Sequence, residues 1–202
     1  MTRYSHGLES SGENAAMSEF FDTLTDDHAA FIARQPVFFV ATATEGARIN
    51  LSPKGMDAFR VLGPSQVGYL DVGGSGNETQ AHLAADGRVT VMFCAFDRPA
   101  LILRLYGHGR AVLPQDDDWA SVAEPFTLLP GTRQIFVIDL HSVQTSCGWG
   151  VPFMTFDAER ETLSKYHKAQ DPAERLAVIA GRTLSIDGLP VRVQTTLPAT
   201  VG

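Results

Sequence analysis

Ile49-Asn50-Leu51-Ser52-Pro53-Lys54-Gly55 is followed by Tyr69-Leu70-Asp71-Val72-Gly73-Gly74-Ser75-Gly76-Asn77-Glu78-Thr79, and these two stretches decide the reading of the chain. The first has the pattern of a strand that ends on a lysine. The second passes from an apolar strand through a glycine-rich turn into a helix start. Backbone N–H groups can converge in such a turn, Ser75, Asn77 and Thr79 add side-chain donors, and Lys54 adds a point charge. Together they suit an anion, and a phosphorylated small-molecule cofactor is the ligand they call for. Each piece also has a plainer reading. Lys54 alone could be a solvated strand-end lysine, and the glycine turn alone could be a flexible loop with Asn77 as helix cap.

Outward from this segment, local signals repeat at short spacing. Thr25-Asp26-Asp27 supplies an N-cap and an acidic first turn for a helix near Asp26 to Gln35, stopped by Pro36. Val37 to Thr44 is β-branched and aromatic, and Glu45-Gly46 turns it into Arg48 to Ser52 as a hairpin. Ala58 to Leu62 and Gln66 to Asp71 flank Gly63-Pro64-Ser65 as a second hairpin, and a helix follows from Asn77 to Ala85. Val89 to Phe96 reads as a buried strand. Leu101 to Leu113 is a longer one, with a bulge or bend expected at Gly107 or Gly109. Asp116 to Ala123 suits a short helix, Gln134 to Ser146 a strand, and Ala158 to Ala169 with Ala173 to Ala180 a helical tail broken at Asp171-Pro172. Strands joined by tight turns argue for an α+β fold dominated by β: a small antiparallel barrel with peripheral helices.

Composition narrows the function classes. The 202 residues suit one domain with appendages. A hydrophobic content of 44% with 19% charged residues belongs to a folded protein. Lys+Arg 16 against Asp+Glu 23 gives a net charge of -7 with no basic stripe, which argues against a nucleic-acid partner. Apolar runs such as Val37 to Ala41 fall far short of the roughly 20 residues of a membrane helix, so no membrane role is expected. Cys94 and Cys147 have no CxxC spacing, and two reduced thiols point to a cytoplasmic protein. Met1 to Ala16 is polar and lacks the apolar core of a signal peptide; it reads as a loose tail, and Met17 is an alternative start. The six histidines are dispersed, with no HExxH, so no metal site is expected; His108, between two glycines, is a turn residue or a group above a pocket.

In order and spacing, Asn50 to Gly55, Tyr69 to Asp71 with Gly74 to Thr79, and Leu103-Arg104-Leu105-Tyr106-Gly107-His108-Gly109 resemble the pyridoxamine 5'-phosphate oxidase-like flavoproteins over Asp26 to Gly150. The resemblance implies a split β-barrel that binds FMN between two subunits, hence a homodimer. It divides the chain into a tail over 1–20, a barrel over 21–156 and a C-terminal helical segment over 157–202 that packs on the barrel or the dimer. It implies cofactor contacts from Asn50, Leu51, Ser52, Lys54, Leu70, Asp71, Gly74, Ser75, Asn77, Glu78, Thr79, Arg104 and Trp149. Ser52 and Lys54 would face the flavin; Ser75, Asn77 and Thr79 would lie near its phosphate. Arg104, in the family's VRxxG-like segment, would serve the fold as well as the cofactor.

The vitamin B6 oxidases of that family close on a tryptophan, arginine and proline signature, whereas this chain closes on Leu184-Ser185-Ile186-Asp187-Gly188-Leu189-Pro190. Ser146-Cys147-Gly148-Trp149-Gly150-Val151-Pro152 instead resembles the uncharacterised subgroup, in which this turn reaches toward a flavin site. Trp149 suits stacking on a ring or burial at a dimer interface. The expectation is therefore an FMN-dependent oxidoreductase acting on a small molecule by hydride transfer at the flavin, with no catalytic acid or base required of the protein. The alternative is a non-catalytic module on the same barrel that binds or senses flavin, haem or a deazaflavin.

Overall fold

In the computed structural model, residues 18–74 and 76–198 are described, and one mixed-length antiparallel sheet organises them. Its eight strands are β1 (Ser18–Phe21), β2 (Phe38–Thr42), β3 (Asn50–Lys54), β4 (Phe59–Gly63), β5 (Gln66–Val72), β6 (Arg88–Cys94), β7 (Ile102–Val112) and β8 (Thr132–Ser146). The order is β3-β2-β6-β7-β8-β5-β4, with β1 also paired to β8. The sheet does not close on itself, and this open arrangement is that of a split barrel. β8 is the spine: its first half pairs with β5, its second half with β1, and β7 runs along its other edge.

Alternation explains most of these strands. In β2, in β6 up to Phe93 and in β7 up to Gly107 every second residue is buried, and Val40, Val91, Leu103 and Leu105 are fully enclosed. An aromatic group fills the space beneath the β3–β5 end. Phe38 lies edge-on to Phe59 at 5.1 Å, Phe59 to Phe93 at 5.0 Å, and Tyr69 packs on Phe136 at 4.9 Å. Burying each such ring is worth about 1.5–3 kcal/mol, which makes this end of the barrel a firm floor. The bend expected in the long strand falls at Gly107: Tyr106 faces Ser142 but Gly107 faces Leu140, so His141 is the extra residue of a bulge. A Cβ at Gly107 would strike the Asp139 carbonyl oxygen, which is why only glycine fits there.

The helices are α1 (Asp26–Ala33), α2 (Glu78–Ala85), α3 (Trp119–Ala123), α4 (Thr162–Lys168) and α5 (Pro172–Ala180). Thr25 caps α1 in a reciprocal box in which His28 takes the usual place of a glutamate. The stretch read as tail up to residue 20 is corrected in part: Ser18–Phe21 is a strand, with Phe20 opposite Gln144. Four residues with no apolar alternation leave no local signal, and the pairing comes from the long-range neighbour. The rest of that tail, with Met17, lies outside the described residues. α4 and α5 bury no residue and dock by polar contacts: His167 Nε2 donates to the Gly73 carbonyl at 2.9 Å, and Arg175 to those of Gly131 (2.6 Å) and Thr132 (3.0 Å).

Candidate functional site

β3 is an edge strand, which accommodates Pro53 without costing a ladder bond. Its period of two turns Asn50, Ser52 and Lys54 to one side, and Leu51 and Pro53 to the other. β5 brings Asp71 across from Gln134 of β8, and the glycine turn then leads into α2. These elements meet in a cleft of 180 Å³ lined by Asn50, Ser52, Lys54, Asp71, Gly74, Asn77, Glu78 and Thr79, together with Val72, Gly76, Arg133 and Phe136. Eight of the thirteen residues named from sequence are thus brought together. Ser75 lies outside the described residues.

The remaining four stand elsewhere. Leu70 is in the core, its N–H donating to the Ala58 carbonyl at 2.8 Å. Leu51 is 66% exposed on the opposite side of β3, and Trp149 is 77% exposed beyond the end of β8. Arg104 donates to Ser146 Oγ at 2.9 Å, across β7 and β8. His108 is opposite Asp139 on the same strand pair and does not line the cleft.

The electrostatic centre of the cleft is Asp71, 3% exposed. Its Oδ2 accepts from Arg133 Nε (2.9 Å) and Nη2 (2.7 Å) and from Gln134 Nε2 (2.9 Å), while Lys54 Nζ lies 3.7 Å from Oδ1. One buried carboxylate thus holds two cations at the cleft, and Glu78, which also lines it, brings the formal charges of the lining into balance. Burial, and then the charge of Asp71, pushes the Tyr69 phenol well above its ordinary value of 10.0, so this tyrosine is a neutral part of the floor. Arg133 Nη1 also donates to the Gly76 carbonyl at 3.0 Å, tying β8 to the glycine turn.

Neutral donors form a second layer. Asn50 Nδ2 donates to Thr79 Oγ1 (3.0 Å) and to Thr42 Oγ1 (3.2 Å), and the latter is 3.1 Å from His82 Nδ1. Ser52 Oγ donates to Asn50 Oδ1 at 3.3 Å. Asn77 does not cap α2: its side chain makes no capping bond, and its Oδ1 accepts from Gln134 Nε2 at 2.8 Å. The first-turn N–H groups of α2 therefore lack a side-chain cap, at the end where the helix dipole favours negative charge. Asn77 is therefore not the helix cap that the plainer reading of the glycine turn assigned to it.

Arg133 and Gln134 were not named from sequence. The signal that could have found them is a Thr-Arg-Gln triplet heading the apolar run Ile135-Phe136-Val137-Ile138, since polar residues entering a buried strand need partners. Gln134 is fully buried and also accepts from Gln80 Nε2 at 2.5 Å.

The donors around this opening, a lysine, an arginine, a hydroxyl and an open helix N-terminus, suit the phosphate of a flavin mononucleotide, and the carboxylates of Asp71 and Glu78 stand among them. The volume fits only that end of it. Small-molecule sites usually measure roughly 300–1,000 Å³, so the ring of such a ligand would extend past the cleft.

The chain matches the family model for pyridoxamine 5'-phosphate oxidase over residues 24–147, and it belongs to that family. A curated relative, the pyridoxamine 5'-phosphate oxidase family protein ustO of Aspergillus flavus, is 41% identical over 151 residues, which cover 72% of this chain and 61% of the relative. The chain thus spans about three fifths of that relative's length. Among solved structures, a candidate pyridoxamine 5'-phosphate oxidase from Lactobacillus delbrueckii superposes with a TM-score of 0.50 at 15% identity, covering 61% of this chain and 94% of that one. HupZ of Group A Streptococcus gives a TM-score of 0.47 at 17% identity, covering 59% and 91% of the two chains. Among the described residues, no helix is long and apolar enough to cross a membrane, and no group of three His, Cys, Asp or Glu could hold a metal ion.

Proposed function

We propose that this chain is an FMN-binding oxidoreductase that acts on a small molecule as a homodimer. The observation that carries the reading is the pair Lys54 and Arg133, held beside the uncapped start of α2 by the buried Asp71. Such an arrangement is costly to assemble around nothing, because every charged group in it gives up water. When bound, a flavin supplies the hydride chemistry, and the protein's part is to bind and orient it. Lys54 and Arg133 would contact the phosphate, Ser52 and Asn77 would fix its rotation, and the Asn50–Thr79 bond would hold β3 against α2.

The same geometry supports the homodimer reading. The cleft takes only the phosphate end, and the β3 edge beside it carries the exposed Leu51, while Trp149, Phe153 and Met154 stand 77%, 68% and 62% exposed. A second copy would cover both the ring and this apolar surface. The unpaired Cys94 and Cys147 suit a reducing compartment, and on that ground the reading is of a cytoplasmic enzyme.

The test is an absorbance spectrum of gently purified protein, repeated after FMN addition and desalting, with a thermal melt in parallel. Retained flavin bands and a melting temperature that rises with FMN concentration are expected. A colourless protein whose melting point FMN does not move would overturn the reading. A Soret band in its place would assign the barrel to haem. Flavin that is retained but not reduced by NADH or NADPH, in the presence of any acceptor, would mark a binding module instead of an enzyme.

A further inference from the structure

The C-terminal segment walls a second cavity, of about 1070 Å³, that adjoins the Lys54 cleft through Gly74, Gly76, Asn77, Glu78 and Arg133. Four arginines line it. Two are neutralised: Arg133 by Asp71, and Arg192 by Asp116. The other two have no carboxylate partner among the described residues. Arg182 Nη1 donates to the Gly74 carbonyl at 2.9 Å, and Arg175 donates only to the carbonyls of Gly131 and Thr132, with its Nε buried and unpaired. Burial first, and then the like charge of Arg133, pulls the Arg175 guanidinium below its ordinary value. Arg175 is half-buried without a counterion and Arg182 is exposed, and Glu78, the carboxylate on the cavity lining, is bonded to neither, so an anion bound there would compensate the buried charge of Arg175.

The wall is not only cationic. Leu163, Tyr166, Ile179 and Ile186 line the same space and offer an apolar surface to a flat or aliphatic body. The volume is at the upper end of the roughly 300–1,000 Å³ of small-molecule sites. We infer that this cavity binds an organic diphosphate of nucleoside diphosphate size, with its phosphates on Arg175 and Arg182 and its body against the apolar wall. The inference does not require flavin in the neighbouring cleft, since Arg175 and Arg182 do not line that cleft.

Calorimetric titration of the full chain with ADP and with inorganic pyrophosphate tests this, in wild type, Arg182→Ala, Arg182→Lys and Lys54→Ala. Arg182 is exposed and makes one backbone contact, so its removal spares the fold, which a thermal melt checks. ADP should bind about fivefold tighter than pyrophosphate, because the apolar wall contributes. Arg182→Ala should weaken ADP by about tenfold, Arg182→Lys by less, and Lys54→Ala by under about twofold. No ADP binding below about 1 mM, equal affinity for ADP and pyrophosphate, or an equal loss in Arg182→Ala and Lys54→Ala would overturn it. FMN titrations of the same variants keep the two sites apart: failure of the flavin reading shows as FMN affinity unmoved by Lys54→Ala, whatever ADP does.

Discussion

Replacing Asp71 with asparagine removes the charge around which the cleft is built. In the wild type, Oδ2 accepts three hydrogen bonds of 2.7–2.9 Å from Arg133 and Gln134, and Lys54 stands 3.7 Å from Oδ1. All of these neighbours are donors, so the new amide NH₂ would face donors, and the Arg133 guanidinium would lose its only carboxylate among the described residues. Removing one partner of a buried ion pair costs about 3–5 kcal/mol. The asparagine oxygen can still accept from Arg133, which sets the expectation near the lower figure, about 3 kcal/mol. For a chain of this length about 2–4 °C of melting temperature accompany each kcal/mol, so Asp71→Asn should melt about 6–12 °C lower. The assay is thermal unfolding followed by circular dichroism, without ligand, for Asp71→Asn, Arg133→Met and the double variant. Because the residues are in direct contact, the double variant should be at least about 1 kcal/mol less destabilised than the sum of the singles. A single variant within about 2 °C of wild type, or strictly additive losses, would refute the assignment of Asp71 as the brace of the cleft.

Three further outcomes follow from the same geometry. Gly107→Ala should cost about 2–3 kcal/mol in urea unfolding, because its Cβ would meet the Asp139 carbonyl and lie 2.8 Å from Ile138 Cγ2; Gly63→Ala, with no atom within 4 Å, should be close to neutral and is the control. Burial lowers the His28 imidazole below its ordinary 6.5, against the opposing charges of Asp27 and Glu19. The unfolded chain therefore binds the proton more tightly, and the stability His28 contributes is complete above 6.5 and lost as pH falls through the lowered value; melting curves between about pH 7.5 and 5 should decline less steeply in His28→Gln. Under the flavin proposal, Lys54→Ala should weaken FMN by about tenfold or more in a fluorescence-quenching titration, and equal affinity would remove Lys54 from the anion site.

What the sequence made legible was local. Alternation at Asn50, Ser52 and Lys54 put three polar side chains on one face of a strand, and the glycine turn announced a helix start with donors. Gly107 announced a break in a strand too long to run straight. What it left out was carried by pairing between distant residues. Gln134 meets Asp71 only because β8 lies beside β5, a relation 63 residues apart that no window of sequence contains. β1 has the same origin, since Ser18–Phe21 becomes a strand by pairing with Thr145 and its neighbours. Leu70 and Leu51 both sit within the quoted segments, and strand alternation sends the side chain of one into the core and that of the other to the opposite surface.

Under the flavin proposal, the placement of Asp71 governs how the phosphate is held. A carboxylate inside an anion site works against the ligand, yet without it Lys54 and Arg133 would face each other across a poorly solvated cleft. With it, and with Glu78 on the same lining, a phosphate carrying about two charges meets no net positive charge, so affinity has to come largely from directed hydrogen bonds, those of Ser52, Asn77 and the open first turn of α2. Directed bonds are lost when geometry shifts by little, whereas a net charge is forgiving of position. The tie from Arg133 Nη1 to the Gly76 carbonyl then becomes part of the binding site, because it fixes the turn that presents those donors. A cleft built this way discriminates by shape among anions of equal charge, and inorganic sulfate at millimolar concentration should compete poorly with a phosphate monoester for it.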